Sequence, residues 1–171
     1  MKSIFRPPSK CYQGIERARY GEQIHKGFDT MQSFVELAEW HLSAVFDGNG
    51  LPYESQVVTE GNKKPDFIFP SGKAYHDPNY DADKLIVLAS KTTYKDRWRQ
   101  IINEANRVRD RNKYLFTLQQ GISAQQLTEM QIEGVVLIVP ESHRKNFPKE
   151  FRDEILNLKQ FIALVRRTVT I

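Results

Sequence analysis

Two apolar runs, Leu85–Ala89 and Val135–Val139, limit what this chain can fold into more than any other feature. Each is too short for a core helix. Because neither alternates with polar residues, each reads as a strand with both faces buried, the environment of a sheet covered by helices on either side. Pro140 stops the second run. Around them lie helical patterns. Met31, Phe34, Leu37, Ala38, His41, Leu42 and Val45 recur at i, i+3, i+4, i+7 spacing, with Asp29 or Thr30 able to cap the start and Gly48-Asn49-Gly50 to end it. His41 falls inside that stripe and is expected to be packed or half-buried. A second helix is expected to follow a cap at Thr92 or Thr93, with Trp98, Ile101, Ile102, Ala105 and Val108 as its stripe. Ser123 and Gln126 form a capping box opening a third, which Gly134 ends. A last helix is expected from about Pro148, with Phe151, Ile155, Leu158, Phe161, Ile162 and Val165 inward.

The remaining segments complete the pattern. Tyr53–Glu60 and Pro65–Phe69 read as strands of a hairpin turned at Gly61-Asn62, and Tyr114–Leu118 as a further strand. Residues 71–83 read as a polar loop bearing Tyr75, His76 and Tyr80. A hairpin followed by alternating strands and helices predicts an α/β/α sandwich, a central mixed sheet flanked by helices. One domain over 28–171 is expected, preceded by an N-terminal arm and extension over 1–27. The longest apolar runs are far too short for a membrane span, and residues 1–20 carry no apolar signal segment. The single cysteine, Cys11, excludes an internal disulfide framework and Cys-rich zinc sites, and a cytoplasmic location is expected.

Charge is distributed unevenly. Residues 84–113 carry nine Lys/Arg against three acids, a local +6 in a chain of net charge +4. A concentrated patch of this kind suits a polyanion, or forms a solvated helix face.

The chemistry-bearing residues cluster around this basic run. Asp66 opens an apolar strand, Lys91 closes the next, and Glu104 lies on the flank of the following helical stripe. Glu39 lies on the flank of the first stripe, whereas Glu36 is almost opposite its centre. Phosphodiester hydrolysis needs an oriented water and neutralisation of the added negative charge, which carboxylate-held Mg²⁺ commonly provides. Asp66, Glu104 and Glu39 could hold such an ion, Lys91 could orient or deprotonate the water, and Tyr75 and Lys95 could touch the phosphate. Singly, a Pro-Asp pair, a lysine leaving a strand and a helix-flank glutamate are commonplace; their joint placement distinguishes them. Lys95-Asp96-Arg97 alternates donor, acceptor and donor, which suits adjacent G·C pairs in a major groove, and Arg99 extends the cluster. An intrahelical charge network would have the same composition. Trp98 is expected in the core.

At these residues the sequence resembles the catalytic domain of the EcoRII-type restriction endonucleases, within the PD-(D/E)xK nuclease superfamily. The resemblance is carried by Thr59-Glu60-Gly61-Asn62-Lys63-Lys64-Pro65-Asp66-Phe67, Ala74-Tyr75-His76-Asp77, Lys91-Thr92-Thr93, Lys95-Asp96-Arg97-Trp98-Arg99-Gln100-Ile101 and Asn103-Glu104-Ala105, and by Leu115–Gln119 and Val139-Pro140 further on. It covers roughly residues 24–165. It implies a restriction-endonuclease-like fold and an Mg²⁺-dependent homodimer that cuts double-stranded DNA at a CCWGG-like site (W = A or T), before the first cytosine. It also implies Asp66, Lys91 and Glu104 as catalytic core, Tyr75 and Lys95 as accessory residues, and Lys95-Asp96-Arg97 as the reader of C·G pairs. The family's N-terminal effector domain has no counterpart here, so activation through a second site is expected to be missing. The segment approaching Glu39 is shorter than the family pattern. A structure-selective or repair nuclease on the same fold, or a catalytically impaired DNA-binding module, are the alternative functions.

Overall fold

The computed structural model describes residues 31–91, 98–103, 105–119 and 121–169, with the side chains of residues 31–37 and 100 outside that description. The chain divides into two units, residues 1–51 and 52–171. The first contains one described helix, α1 (Met31–Gly48). Its buried line runs through Ala38, Leu42 and Phe46, four residues apart and therefore on one face. His41, expected to be packed or half-buried, is instead exposed. It sits one position off that line, and its ring stands edge-on to Trp40 with centroids 5.3 Å apart. The predicted stop is present: the Asn49 side chain returns to the Val45 carbonyl at 2.8 Å, and Gly50 takes a left-handed φ of 65°.

The second unit contains a five-stranded sheet whose strands lie side by side in chain order. They are β1 (Glu54–Ser55), β2 (Phe67–Phe69), β3 (Ile86–Ser90), β4 (Lys113–Phe116) and β5 (Val135–Ile138). β1, β2 and β3 pair antiparallel, whereas β3, β4 and β5 pair parallel. The helices of this unit are α2 (Gly72–His76), α3 (Trp98–Ile102), α4 (Ala124–Ile132), α5 (Glu141–Arg144) and α6 (Leu158–Val169). Ser123 and Gln126 make the reciprocal capping box that opens α4. Among the described residues no helix is long and apolar enough to cross a membrane.

Register assigns the faces. Ile68 pairs with Val87, and Ala89 with Leu115, which in turn pairs with Leu137. These residues share one face, where two apolar clusters form. The cluster at the β2–β3 half contains Ile68, Val87, Ala74, Tyr75, Ala105 and Val108. The cluster at the β4–β5 half contains Ala89, Leu115, Leu137, Trp98, Ile101, Leu127, Phe147 and Ile155. On the opposite face the rings of Phe69 and Tyr114 meet Phe161 of α6 at 5.8 and 5.4 Å.

Several expected elements are interrupted. The strand over Tyr53–Glu60 contracts to Glu54–Ser55, because Gln56 turns to φ 54° and residues 60–62 coil into a 3₁₀ turn. The loop over 71–83 contains α2, whose Ser71 cap accepts from the Ala74 amide at 3.2 Å. Gly72 is required there: a Cβ would lie 2.9 Å from a Val57 methyl. Two continuous apolar stripes are cut. α3 stops at Ile102, so Trp98 and Ile101 enter one cluster and Ala105 and Val108 the other. The C-terminal stripe breaks similarly. Phe147 and Ile155 join the first face, Leu156 extends along β5 by exchanging backbone bonds with Leu137 and Val139 at 2.9 Å, and only then does α6 begin on the second face.

Phe161, fully buried between two strand aromatics, links α6 to the sheet. Phe161→Ala is expected to lower unfolding free energy by about 3–5 kcal/mol in urea titrations followed by circular dichroism.

Candidate active site

Pairing Phe67 with Leu88 lays the start of β2 beside the end of β3. Asp66 immediately precedes the first strand and Lys91 immediately follows the second, so residues distant in sequence meet at one sheet end. Asp66 is 5% exposed. Its Oδ2 accepts from the Ser90 amide at 2.7 Å and from Lys91 Nζ at 2.9 Å. At that depth carboxylate oxygens need donors in place of water, and an amide with an ammonium supplies them. Its Oδ1 receives only a long contact from Gln56 Nε2, at 3.4 Å, among the described residues. The Lys91 backbone amide donates to Phe116 O at 3.0 Å, tying the lysine to β4 as well.

Tyr75 belongs to the apolar cluster with Ile68 and Val87 on one face of the sheet and is 2% exposed. Its hydroxyl donates to Glu60 Oε2 at 2.6 Å and accepts from the Arg107 amide at 3.4 Å. The same Glu60 oxygen accepts from the Asn106 amide at 3.3 Å. Lys63 Nζ, from the same turn, donates to the Asn103 carbonyl at 2.8 Å. The Arg107 guanidinium donates to the carbonyls of Ala74, Tyr75 and Tyr80, joining the turn after α3 to α2 and its exit. Burial, reinforced by the hydrogen bond to Glu60, raises the Tyr75 pKa well above its ordinary value. For Glu60, burial opposes the charge, but donation from Tyr75 and from backbone amides prevails and leaves its pKa lowered.

Much of the basic run is committed internally. Arg107 serves backbone carbonyls, and Arg111 pairs with Asp83 at 2.5 Å. Lys113 is buried, with Nζ 2.7 Å from Arg109 O and 3.2 Å from Arg111 O, and burial lowers its pKa. Arg99 remains largely exposed, 3.1 Å from Glu129 and stacked 5.3 Å from the Trp98 ring centroid. The +6 balance therefore overstates the charge on offer to a polyanion.

The structure thus brings Asp66 and Lys91 together and gives Tyr75 two protein partners. Glu39 is half-buried on α1, in the other unit. Glu104, Lys95, Asp96 and Arg97 lie outside the described residues, between elements that are described. Among the described residues no three His, Cys, Asp or Glu side chains converge as a metal site. Ser90, Gln56, Glu60, Lys63 and Arg107 were not singled out from sequence for roles at this sheet end. Glu60 and Lys63 stand in the Thr59–Phe67 run that carries the resemblance, but their partners are about 40 residues away.

The mixed sheet with its Asp66–Lys91 pair has the α/β fold of the restriction endonucleases, and solved structures agree. Metal-depleted Ecl18kI in complex with uncleaved DNA superposes with TM-score 0.68 at 21% identity, covering 89% of this chain and 49% of that one. A PspGI–substrate DNA complex gives 0.67 at 16%, covering 91% and 67%. The family described as EcoRII C terminal matches residues 35–162, and the chain belongs to it. The type II restriction enzyme EcoRII of Escherichia coli is 43% identical over 165 residues, covering 87% of this chain and 40% of that protein. The type II restriction enzyme SsoII of Shigella sonnei is 27% identical over 129 residues, covering 71% and 41%. The chain therefore spans about two-fifths of the length of these curated relatives.

The Tyr75–Glu60 pair should be visible in pH-dependent stability. A raised tyrosine pKa contributes stability that is complete below the unfolded value of about 10 and is lost as pH rises above it. A lowered glutamate pKa contributes stability that is present above the unfolded carboxylate range and lost as pH falls through the folded value. Urea titrations across pH should show a steeper fall above about pH 10 in the parent chain than in Tyr75→Phe. Glu60→Gln should flatten the acid side.

Proposed function

We propose that this chain is a site-specific endonuclease that hydrolyses double-stranded DNA, acts as a homodimer and uses Mg²⁺. The single observation carrying the reading is the buried Asp66 carboxylate paired with Lys91 at the junction of the antiparallel and parallel halves of the sheet. Support comes from membership of the EcoRII C-terminal family and from the DNA complexes of the structural neighbours. A CCWGG-like site is the substrate the family resemblance favours, with Lys95-Asp96-Arg97 as readers of the C·G pairs and Arg99 beside them. A two-fold related site calls for two copies of the chain.

The donor chemistry suits Mg²⁺, which keeps several waters and takes one or two carboxylates together with substrate phosphate. With Oδ2 held by Ser90 and Lys91, and Oδ1 meeting only the long Gln56 contact among the described residues, Oδ1 of Asp66 is the oxygen that would serve a cation. Glu104 would supply a second carboxylate. The ion would supply charge neutralisation at the phosphoryl group and a more acidic water. Lys91 Nζ lies at the more exposed end of the pair, where as an ammonium it can orient the attacking water and offset charge gained by the phosphate, or, once it has given up a proton, take one from that water. Lys95 would contact the phosphate from the segment after Lys91. Tyr75, enclosed by Glu60 and Arg107, is reassigned in this reading from touching phosphate to supporting the site.

Incubation with Mg²⁺ and a plasmid containing CCWGG sites should yield discrete fragments whose sequenced ends define the cut. Lys91→Ala and Asp66→Ala are each expected to reduce the cleavage rate by at least about 10²-fold. Intact plasmid with the parent protein would rule the activity out; sequence-independent smears or nicks would indicate a structure-selective or repair nuclease.

A further inference from the structure

Gln56 reaches the oxygen of Asp66 that Ser90 and Lys91 leave uncovered. In the register that pairs Glu54 with Ile68 and Ser55 with Phe67, Gln56 stands opposite Asp66. Its backbone amide donates to the Asp66 carbonyl at 3.3 Å, and its side-chain Nε2 donates to Asp66 Oδ1 at 3.4 Å. Oδ2 is already taken by the Ser90 amide at 2.7 Å and by Lys91 Nζ at 2.9 Å. The β1 ladder ends here because Gln56 has a left-handed φ of 54°. A residue with a Cβ keeps that conformation only where its surroundings hold it, and such positions concentrate at functional sites. Gln56 is exposed, so burial of its side chain does not account for the conformation.

We infer that Gln56 is a positioning residue for the Asp66 carboxylate: its side-chain amide holds Oδ1 while Ser90 and Lys91 hold Oδ2, fixing the carboxylate plane before substrate arrives. This inference rests on the proposed reading of Asp66 as a catalytic carboxylate. The terminal torsion of an aspartate is broad, and donors on one oxygen restrain the other only weakly. A donor to the second oxygen, delivered from a different strand, removes that freedom. At 3.4 Å the bond is long for an N–H···O contact, and hydrogen bonds around reacting groups often tighten once substrate is bound. An ionised carboxylate offers about four lone-pair sites, so one amide on Oδ1 leaves a second site there for the chemistry. Partners that only orient a reacting group commonly change activity by about 10–100-fold.

The test uses the full chain, a duplex carrying the site that the parent cuts, and single-turnover cleavage, with duplex affinity measured separately by gel shift without divalent metal. Gln56→Gly keeps the left-handed backbone and removes the amide. It is expected to lower the cleavage rate by about 10-fold, with duplex affinity and urea midpoint little changed. Gln56→Glu keeps the side-chain length but sets a second carboxylate against Oδ1, and should lower the rate at least as much. Independently of cleavage, the side-chain amide resonance that disappears in Gln56→Gly should shift in Asp66→Asn; a resonance that stays in place overturns the role. Asp66→Ala is the control on the underlying reading. If it loses cleavage while Gln56→Gly and Gln56→Glu cut at the parent rate, the positioning role is overturned and the reading of Asp66 stands. A loss that appears in duplex affinity, or that follows a fall in urea midpoint, overturns the role as well. If Asp66→Ala cuts like the parent, the reading of Asp66 falls and the positioning role falls with it.

Discussion

The buried carboxylate of Asp66 is the constraint on which the sheet end depends. At 5% exposure it has lost most of its water, and an isolated charge there would be strongly destabilising. The structure meets that demand with one backbone amide and one ammonium, both from the end of β3. Register must therefore be right to the residue: a slip of one position between β2 and β3 would turn Asp66 to the opposite face and the apolar set of β2 with it. The packing of Ile68 and Val87 on one face and of Phe69 against Phe161 on the other enforces the same alignment. Core packing and site geometry thus share one register.

The basic residues divide by what they touch. Arg107 and Lys113 terminate in backbone carbonyls, where they satisfy acceptors at irregular turns. Their charge is used inside the unit. Arg99 and Lys91 stay partly accessible, each with an acidic partner. A net-charge count treats these groups alike, because it has no information on depth or partner. The useful distinction between scaffolding cations and cations facing an incoming anion arises only from the carbonyls that turns leave unsatisfied.

Tyr75 illustrates how a residue's assigned role depends on its neighbours. As a tyrosine in a polar loop near a nuclease-like motif it reads as a phosphate contact. In the fold it sits in a short helix, covered, with its hydroxyl engaged on both its donor and acceptor sides. The network from Glu60 through Tyr75 to Arg107 joins three segments that carry no regular ladder between them. Side chains there do what backbone pairing does within the sheet.

The sequence by itself determined the strands β3 and β5, the capping box that opens α4, the glycine stops after α1 and α4, the mixed α/β character, and the nomination of Asp66 and Lys91. These follow from local rules: unbroken apolar runs, capping chemistry, and a charged residue at each end of an apolar strand. Tertiary structure alone decided where the long apolar stripes are cut. Trp98 through Val108 and Phe151 through Val165 each read as one helical face, yet the first divides between two clusters and the second between the two faces of the sheet, and a straight helix could not reach both. Tertiary structure also decided the partners of Glu60, Lys63 and Arg107, because hydrogen bonds spanning about 30–46 residues leave no periodic trace in the sequence. The sequence marked which residues could carry charge and catalysis; the packing of two sheet faces decided which of them meet.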